Sequence, residues 1–108
     1  MPNYQASLDR VFWALGDPTR FAIVEQLARQ PASVSDLARP FNLSLPTFMQ
    51  HLGVLEECGL VTSEKTGRVR MCSLNKNKLE EVDAWISAQK RLWTTRFDAL
   101  DKLLENDK

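Results

Sequence analysis

The apolar positions of the first half of the chain recur every three or four residues, which is the period of an amphipathic α-helix. The run SLDRVFWALG predicts a first helix that ends at Gly16. The run DPTRFAIVEQLARQP predicts a second helix, because Asp17 can cap its free amides and Pro18 suits its first position, and Pro31 marks its end. The predicted packing surfaces consist of Leu8, Val11, Phe12 and Leu15 in the first helix and Phe21, Ile23, Val24 and Leu27 in the second.

Two further helices are predicted before Gly59. In SVSDLARPFN a short helix points Val34, Leu37 and Phe41 inward, and Pro40 should end or kink it. In SLPTFMQHLGVLEE, Ser44 is the expected N-cap, and Gly59 is a natural left-handed residue just after the C-terminus. The packing face of this helix should carry Leu45, Phe48, Leu52 and Leu55, and the outward face Pro46, Gln50, Gly53 and Glu57.

After Gly59 the segments LVTSEK and RVRMCSL are short and rich in β-branched residues, and we expect Thr66 and Gly67 to join them in a hairpin. A short helix, a tight turn, a second capped helix and a hairpin form a helix-turn-helix with a wing, in which the second helix enters the major groove of DNA. The predicted fold is mainly α with a small β-hairpin, in the order α-α-α-α-β-β-α. We call residues 44–58 the recognition helix and residues 60–74 the wing.

The remaining segment, KNKLEEVDAWISAQKRLWTTRFDALDKLLEN, has apolar residues at helical spacing and predicts one helix of about 45 Å. The preceding helices are too short to cover so long an apolar stripe, so part of it should meet a second copy of the chain across a two-fold axis. The residues assigned to dimerisation on this helix are Trp85, Leu92, Trp93, Phe97 and Leu100. The alternative, that Trp85, Trp93 and Phe97 are ordinary core residues, is compatible with dimerisation.

Composition fits one domain over residues 1–108, with a winged core at 8–75 and a long dimerisation helix at 76–106. The chain has 44% hydrophobic and 26% charged residues, with no apolar run of membrane-spanning length, and we expect a cytoplasmic protein. The formal net charge is zero, but a local basic patch is present. Lys65, Arg68 and Arg70 lie on the wing, and no acidic residue occurs between Lys65 and Lys78.

Catalytic and metal-binding chemistry is poorly represented in the sequence. The chain has a single histidine, no glycine-rich phosphate loop and no Ser/His/Asp constellation, so an enzyme is disfavoured and no cofactor is expected. Cys58 and Cys72 belong to no CxxC or Cys/His cluster, which favours reduced thiols over a disulfide framework or a zinc site.

The runs ALGDPTRFAIVEQL, SVSDLARPFNLSLPTFMQHLGVLEECGLV and EKTGRVRMCSL resemble the ArsR/SmtB family of winged-helix bacterial transcriptional regulators, over about residues 8–75. The tail RLWTTRFDALDKLL is similar to a branch of that family that lacks the usual metal-sensing motifs. The resemblance implies a homodimer joined by the first and last helices, which adds Phe12 to the dimerisation residues. It also implies a two-fold symmetric operator and repression, usually released by an inducer, whose identity and existence the sequence leaves open.

The chain departs from the family where metal sensors place their ligands. The third helix has no Cys or His and the last helix has no His, so no metal site is expected. His51 lies beside the packed face of the recognition helix, and a packing or phosphate-contact role is favoured over metal binding. Redox-sensing relatives use paired cysteines. A switch formed by Cys58 and Cys72 would need Cα atoms about 4.4–6.8 Å apart, and buried structural cysteines are the alternative.

Binding of DNA would divide between phosphate and base contacts. Phosphate contacts are assigned to the wing cations Lys65, Arg68 and Arg70, to the backbone amides at Ser44, and to Arg20, which has an equally plausible role in a surface ion pair. Base contacts are assigned to Gln50 with adenine, to Thr47 as donor or acceptor, and to Met49 and Pro46 with thymine methyl groups. Family members commonly have Ser in place of Met49 and Arg or Lys in place of Gln50, so the usual operator is in doubt. The apolar outward residues would also suit a protein partner instead of DNA.

Overall fold

The computed structural model describes the backbone of residues 4–106 and the side chains of residues 8–106. The helices are α1 (Tyr4–Leu15), α2 (Pro18–Arg29), α3 (Val34–Ala38), α4 (Leu45–Glu57) and α5 (Lys76–Asn106), and the strands are β1 (Ala32–Ser33), β2 (Val61–Thr66) and β3 (Val69–Leu74). The strands form one antiparallel sheet in the order β1-β3-β2. This arrangement confirms the predicted winged helix-turn-helix, with α4 as the recognition helix and β2–β3 as the wing.

Side-chain caps fix where three of the helices begin. Asp17 Oδ2 accepts a hydrogen bond of 3.0 Å from the Arg20 amide at the start of α2, and Ser33 Oγ accepts one of 3.1 Å at the start of α3. Ser44 Oγ accepts a hydrogen bond of 3.3 Å from the Thr47 amide, as the sequence predicts. Each cap satisfies an amide that has no partner inside its helix. α3 ends at Ala38, which agrees with the expected early termination before Pro40.

The Asp17 cap should stabilise the fold in a pH-dependent way. The Arg20 amide hydrogen bond, aided by the charge of the Arg20 side chain, lowers the pKa of Asp17 below its usual 3.8, against the opposing effect of partial burial. A carboxyl with a lowered folded-state pKa stabilises the fold above its unfolded pKa and loses that contribution as the pH falls through the folded pKa. We expect Asp17→Ala to lower the free energy of unfolding at pH 7 by about 1 kcal/mol.

Asp17→Asn is the matched control, because asparagine retains the capping oxygen but does not titrate in this range. Urea unfolding at pH 7 and pH 3 should show that the wild type loses part of its stability advantage over Asp17→Asn at the lower pH. Equal stability of the wild type and Asp17→Ala at pH 7 would show that the cap is dispensable.

The core lies between α1, α2, α3, α4 and the first part of the sheet. Phe48, Leu52 and Leu55 of α4 are at most 1% exposed, and Phe41 packs against Phe48 with ring centroids 5.8 Å apart. The remaining fully buried side chains include Val11, Ile23, Leu37, Leu60, Val61 and Cys72. The packed face of the recognition helix is therefore the one that the sequence predicts from Phe48 onward.

Three residues predicted to pack are exposed instead. Leu45 is 59% exposed, because it is the first residue of α4 and helical side chains tilt toward the N-terminus, which carries this one beyond the packed turns. Phe21 is 50% exposed, because it precedes the buried Ile23 by two residues and so lies roughly 160° around α2 from it. Among the described side chains of α1, which begin at Leu8, the buried ones are Leu8, Val11 and Ala14, and Phe12 is 38% exposed.

The sheet differs from the predicted hairpin in two details. β1 was not predicted, since two residues give no alternating pattern, and it pairs Ala32 with Cys72 and Ser33 with Met71. The turn of the wing consists of Gly67 and Arg68, because Thr66 is still paired with Val69. Gly67 has a φ of +64°, which glycine adopts at little cost and which suits the first central position of a tight hairpin turn. Arg68 is therefore placed at the tip of the wing.

α5 is a single 31-residue helix, as predicted. The chain divides between Lys78 and Leu79 into two compact units, so all but the first three residues of α5 form a unit of their own. Within residues 4–106, no helix combines the length and the apolar character that crossing a membrane requires.

Candidate nucleic-acid interface

The outward face of the recognition helix begins at its capped N-terminus. Pro46 and Gln50 are exposed, and Thr47 and Met49 are partly exposed beside them. The Ser44 hydroxyl donates a 2.9 Å hydrogen bond to Thr47 Oγ1, which leaves the hydroxyl proton of Thr47 free to donate to another group. The first two turns of α4 therefore present an amide, a hydroxyl and two apolar side chains at a helix N-terminus.

The cations of the wing are exposed and close to one another. Lys65 and Arg70 are directly paired across the two strands, and Arg68 lies at the turn. Like charges that face each other across a sheet are destabilising in the isolated protein. This arrangement of the cations therefore favours an anionic partner, whose attraction to both side chains would offset their mutual repulsion.

The recognition helix and the wing enclose a shared concavity of about 550 Å³. It is lined by Ser33, Val34, Ser35, Leu45, Met49, Arg68, Val69 and Arg70. The structure thus brings Met49 together with two of the predicted wing cations. Leu45 and Val69 were not among the predicted site residues, because a leucine at helical spacing and a valine in a strand are typical of a core.

Arg20 and His51 form a contact between α2 and the recognition helix. Arg20 Nη1 lies 3.2 Å from His51 Nδ1, and Asp17 Oδ2 lies 3.7 Å from the same nitrogen. An arginine only donates, so this contact fits a neutral imidazole that accepts at Nδ1 and carries its proton on Nε2. Arg20 is also held by the Ala14 carbonyl, 2.8 Å from its Nε, and by the ring of Trp13, 4.9 Å from its Cζ.

This network supports the packing role that the sequence analysis offered for His51. It also gives Arg20 structural partners other than a phosphate. The guanidinium is partly buried by these contacts, and its position would set the angle between α2 and the recognition helix. The remaining predicted contact residues of the recognition helix and the wing have no comparable network among the residues that the structure describes.

Both cysteines are free thiols with buried side chains. Cys58 Sγ donates to the Leu55 carbonyl at 3.4 Å, and Cys72 lies in the central strand β3. Burial and the nearby charge of Glu56 raise the pKa of the Cys72 thiol. One carboxylate oxygen of Glu56, Oε1, is itself buried and without a hydrogen-bond partner. Across residues 4–106, no group of three or more His, Cys, Asp or Glu side chains is arranged to hold a metal ion.

Comparison with known proteins agrees with this geometry. A helix-turn-helix domain family matches residues 15–64. The HTH-type transcriptional regulator Rv2034 of Mycobacterium tuberculosis is 36% identical over 107 residues, which cover 99% of this chain and 96% of the relative. The transcriptional repressor SdpR of Bacillus subtilis is 30% identical over 73% of this chain and 88% of its own length.

A solved structure extends the similarity to three dimensions. The crystal structure of an ArsR family transcriptional regulator has 45% sequence identity and a TM-score of 0.78, over 87% of this chain and 97% of that one. The match covers most of both chains, so the similarity extends well beyond the helix-turn-helix. The chain belongs to the ArsR family of DNA-binding, winged helix-turn-helix transcriptional regulators.

Proposed function

We propose that the protein is a homodimeric repressor that binds a two-fold symmetric operator through the recognition helix and the wing. The observation that carries the proposal is the concavity shared by α4 and the wing, where exposed side chains of a helix N-terminus lie next to arginines. A helix N-terminus attracts phosphate, and cations on a wing can follow the adjacent backbone. The relative SdpR is itself a repressor, which favours repression over activation.

Within this proposal the phosphate contacts come from Lys65, Arg68 and Arg70 and from the amides of the first turn of α4. The base contacts come from Thr47, Met49 and Gln50, with Pro46 beside them. Glu56 and Glu57 lie at the other end of α4, where acidic side chains oppose phosphates, so only the first two turns should read bases. His51 and Arg20 then act mainly by holding the recognition helix at its angle.

The apolar stripe of α5 supports the dimer. It comprises Leu79, Trp85, Ile86, Leu92, Trp93, Phe97, Leu100, Leu103 and Leu104, each between 37% and 67% exposed in the single chain. The rings of Trp93 and Phe97 have centroids 5.7 Å apart and are tilted by 36°, so the exposed surface includes an aromatic pair. So large an apolar surface on a soluble regulator marks an interface, and a second copy supplies a matching stripe. Phe12 of α1 is a further candidate for this interface.

A thiol switch has weaker support. A reactive cysteine is exposed and has a lowered pKa, whereas Cys72 is buried and its pKa is raised. Catalysis is also disfavoured, because the named relatives are transcriptional regulators.

A footprint on operator DNA tests the proposal. DNA enriched by the protein from a random duplex pool should carry two inverted half-sites whose centres lie about one helical turn, or a multiple of one, apart. Cleavage protection on that DNA should be symmetric about the centre. A single asymmetric protected site would contradict binding by a two-fold dimer, and failure to enrich any sequence would contradict operator recognition itself.

A further inference from the structure

The concavity between the recognition helix and the wing combines apolar and cationic side chains. Leu45, Met49 and Val69 supply apolar surface, and Arg68 and Arg70 supply positive charge. Leu45 is 59% exposed and Val69 is 48% exposed, so their apolar atoms face solvent in the free protein. Exposed apolar side chains grouped beside arginines suggest a partner that is anionic as a whole and locally apolar.

Leu45 and Met49 are four residues apart on α4 and therefore lie on one side of the helix, one turn from each other. They occupy the first two turns after the Ser44 cap, which is the part of a recognition helix that contacts base edges. Neither side chain can donate a hydrogen bond, and methionine sulfur is only a weak acceptor. These two residues therefore cannot read the polar pattern of the major groove.

The major groove has one apolar feature on its base edges, the C5-methyl group of thymine. We propose, on the basis of the function proposed above, that Leu45 and Met49 form a contact surface for thymine methyl groups. Arg68 and Arg70 match the phosphates of the same strand by charge. Each operator half-site then carries thymine where it faces Leu45 and Met49, and discrimination at those positions depends on the methyl group instead of a hydrogen bond.

Substitution of deoxyuridine for thymidine tests the methyl contact directly, because deoxyuridine lacks only the methyl group and keeps the same hydrogen-bonding edge. Operators are first selected from a random duplex pool, and each thymine of a half-site is then replaced in turn by deoxyuridine. At the contacted thymine we expect affinity to fall about fourfold for one half-site and about 15-fold for both, from the burial of one methyl group at each. Replacement at the other thymines should change affinity less than twofold.

Protein variants assign the methyl effect to these side chains. The Leu45→Ala and Met49→Ala variants, tested separately, should bind the thymine operator more weakly than the wild type and the deoxyuridine operator about as well. The ratio of affinities for the thymine and deoxyuridine operators should therefore fall toward one. Phe21→Ala is the matched control, because Phe21 is 50% exposed but lies on α2 outside the concavity, and it should retain the fourfold ratio. Circular dichroism of each variant verifies the fold.

The outcomes separate this inference from the function on which it depends. Selected operators that tolerate deoxyuridine at every thymine would leave operator binding intact and overturn the methyl contact, in favour of the sugar-phosphate backbone as the occupant of the concavity. A methyl effect that persists in both Leu45→Ala and Met49→Ala would assign it to other residues and also overturn the inference. If no sequence is enriched, the proposed function fails, and the inference fails with it.

Discussion

Reversal of the two wing arginines should abolish operator binding. Arg68 and Arg70 are exposed and line the same concavity as Met49 of the recognition helix. Arg70 pairs with Lys65 across the hairpin, and Arg68 lies in the turn. The strand that follows the turn has no acidic residue. Arg68→Glu with Arg70→Glu replaces attraction to phosphates by repulsion in both subunits of a dimer. We expect affinity measured by fluorescence anisotropy near physiological salt to fall at least about 100-fold, and the dependence of affinity on salt to become shallower.

The matched control reverses two cations on α5 instead of two on the wing. Arg91 and Lys102 are exposed on α5, on the opposite side from Trp93 and Leu100. Arg91→Glu with Lys102→Glu should change affinity less than about threefold, because it alters net charge but no proposed phosphate contact. If the wing variant binds as the wild type does, the wing makes no contribution to binding. If the partner were a protein instead of DNA, Met49→Asp should weaken its binding, and the binding affinity should depend only weakly on salt.

Charges in the apolar stripe of α5 should separate the dimer. Trp93 and Leu100 are 54% and 50% exposed in the single chain and lie on one side of the helix. Trp93→Glu with Leu100→Glu would bury four carboxylates in a two-fold interface, which an apolar contact cannot tolerate. Sedimentation equilibrium at micromolar concentration should then give the mass of one chain, 12.3 kDa, instead of twice that mass.

Loss of the dimer should also weaken binding to a two-site operator by roughly 100-fold or more, since each half-site would be bound independently. The variant with Arg91→Glu and Lys102→Glu introduces the same number of glutamates on the polar side of the same helix and should remain dimeric. A monomeric wild type, or a stripe variant that stays dimeric, would contradict the role proposed for α5.

The helices, the wing and the caps could be predicted from the sequence because their signals are local. Asp17 before Pro18 and Ser44 before Pro46 each combine a capping oxygen with a proline suited to the first turn, and both start a helix in the structure. Pro40 likewise marks the early end of α3. Such signals depend on a few adjacent residues and not on tertiary contacts.

Other features of the structure depend on how the elements pack against one another, which no local sequence pattern specifies. Leu45 has the spacing of a core residue, but it belongs to the helix end and its side chain lies beyond the packed turns. β1 consists of only Ala32 and Ser33 and is a strand only because β3 lies beside it. The contact between Arg20 and His51 joins residues 31 positions apart, and no sequence pattern specifies it.

The basic part of the site could be predicted from the sequence. Lys65, Arg68 and Arg70 stand out as charges in a segment without acids, so the basic wing was visible in the sequence. Its position beside Met49 is a consequence of the fold, and so is the exposure of Val69 in the same concavity. The contribution of Leu45 and Val69 to the apolar part of this interface therefore follows from the fold and not from the sequence pattern.

The most direct test of the central claim is a stoichiometric titration of a fluorescent duplex carrying the selected operator, with a shuffled duplex of the same composition as reference. We predict saturation at two protomers per duplex, with affinity for the operator at least about 1,000-fold higher than for the shuffled sequence near physiological salt. Saturation at one protomer, or equal affinity for the two duplexes, would contradict a dimeric repressor that recognises a symmetric operator.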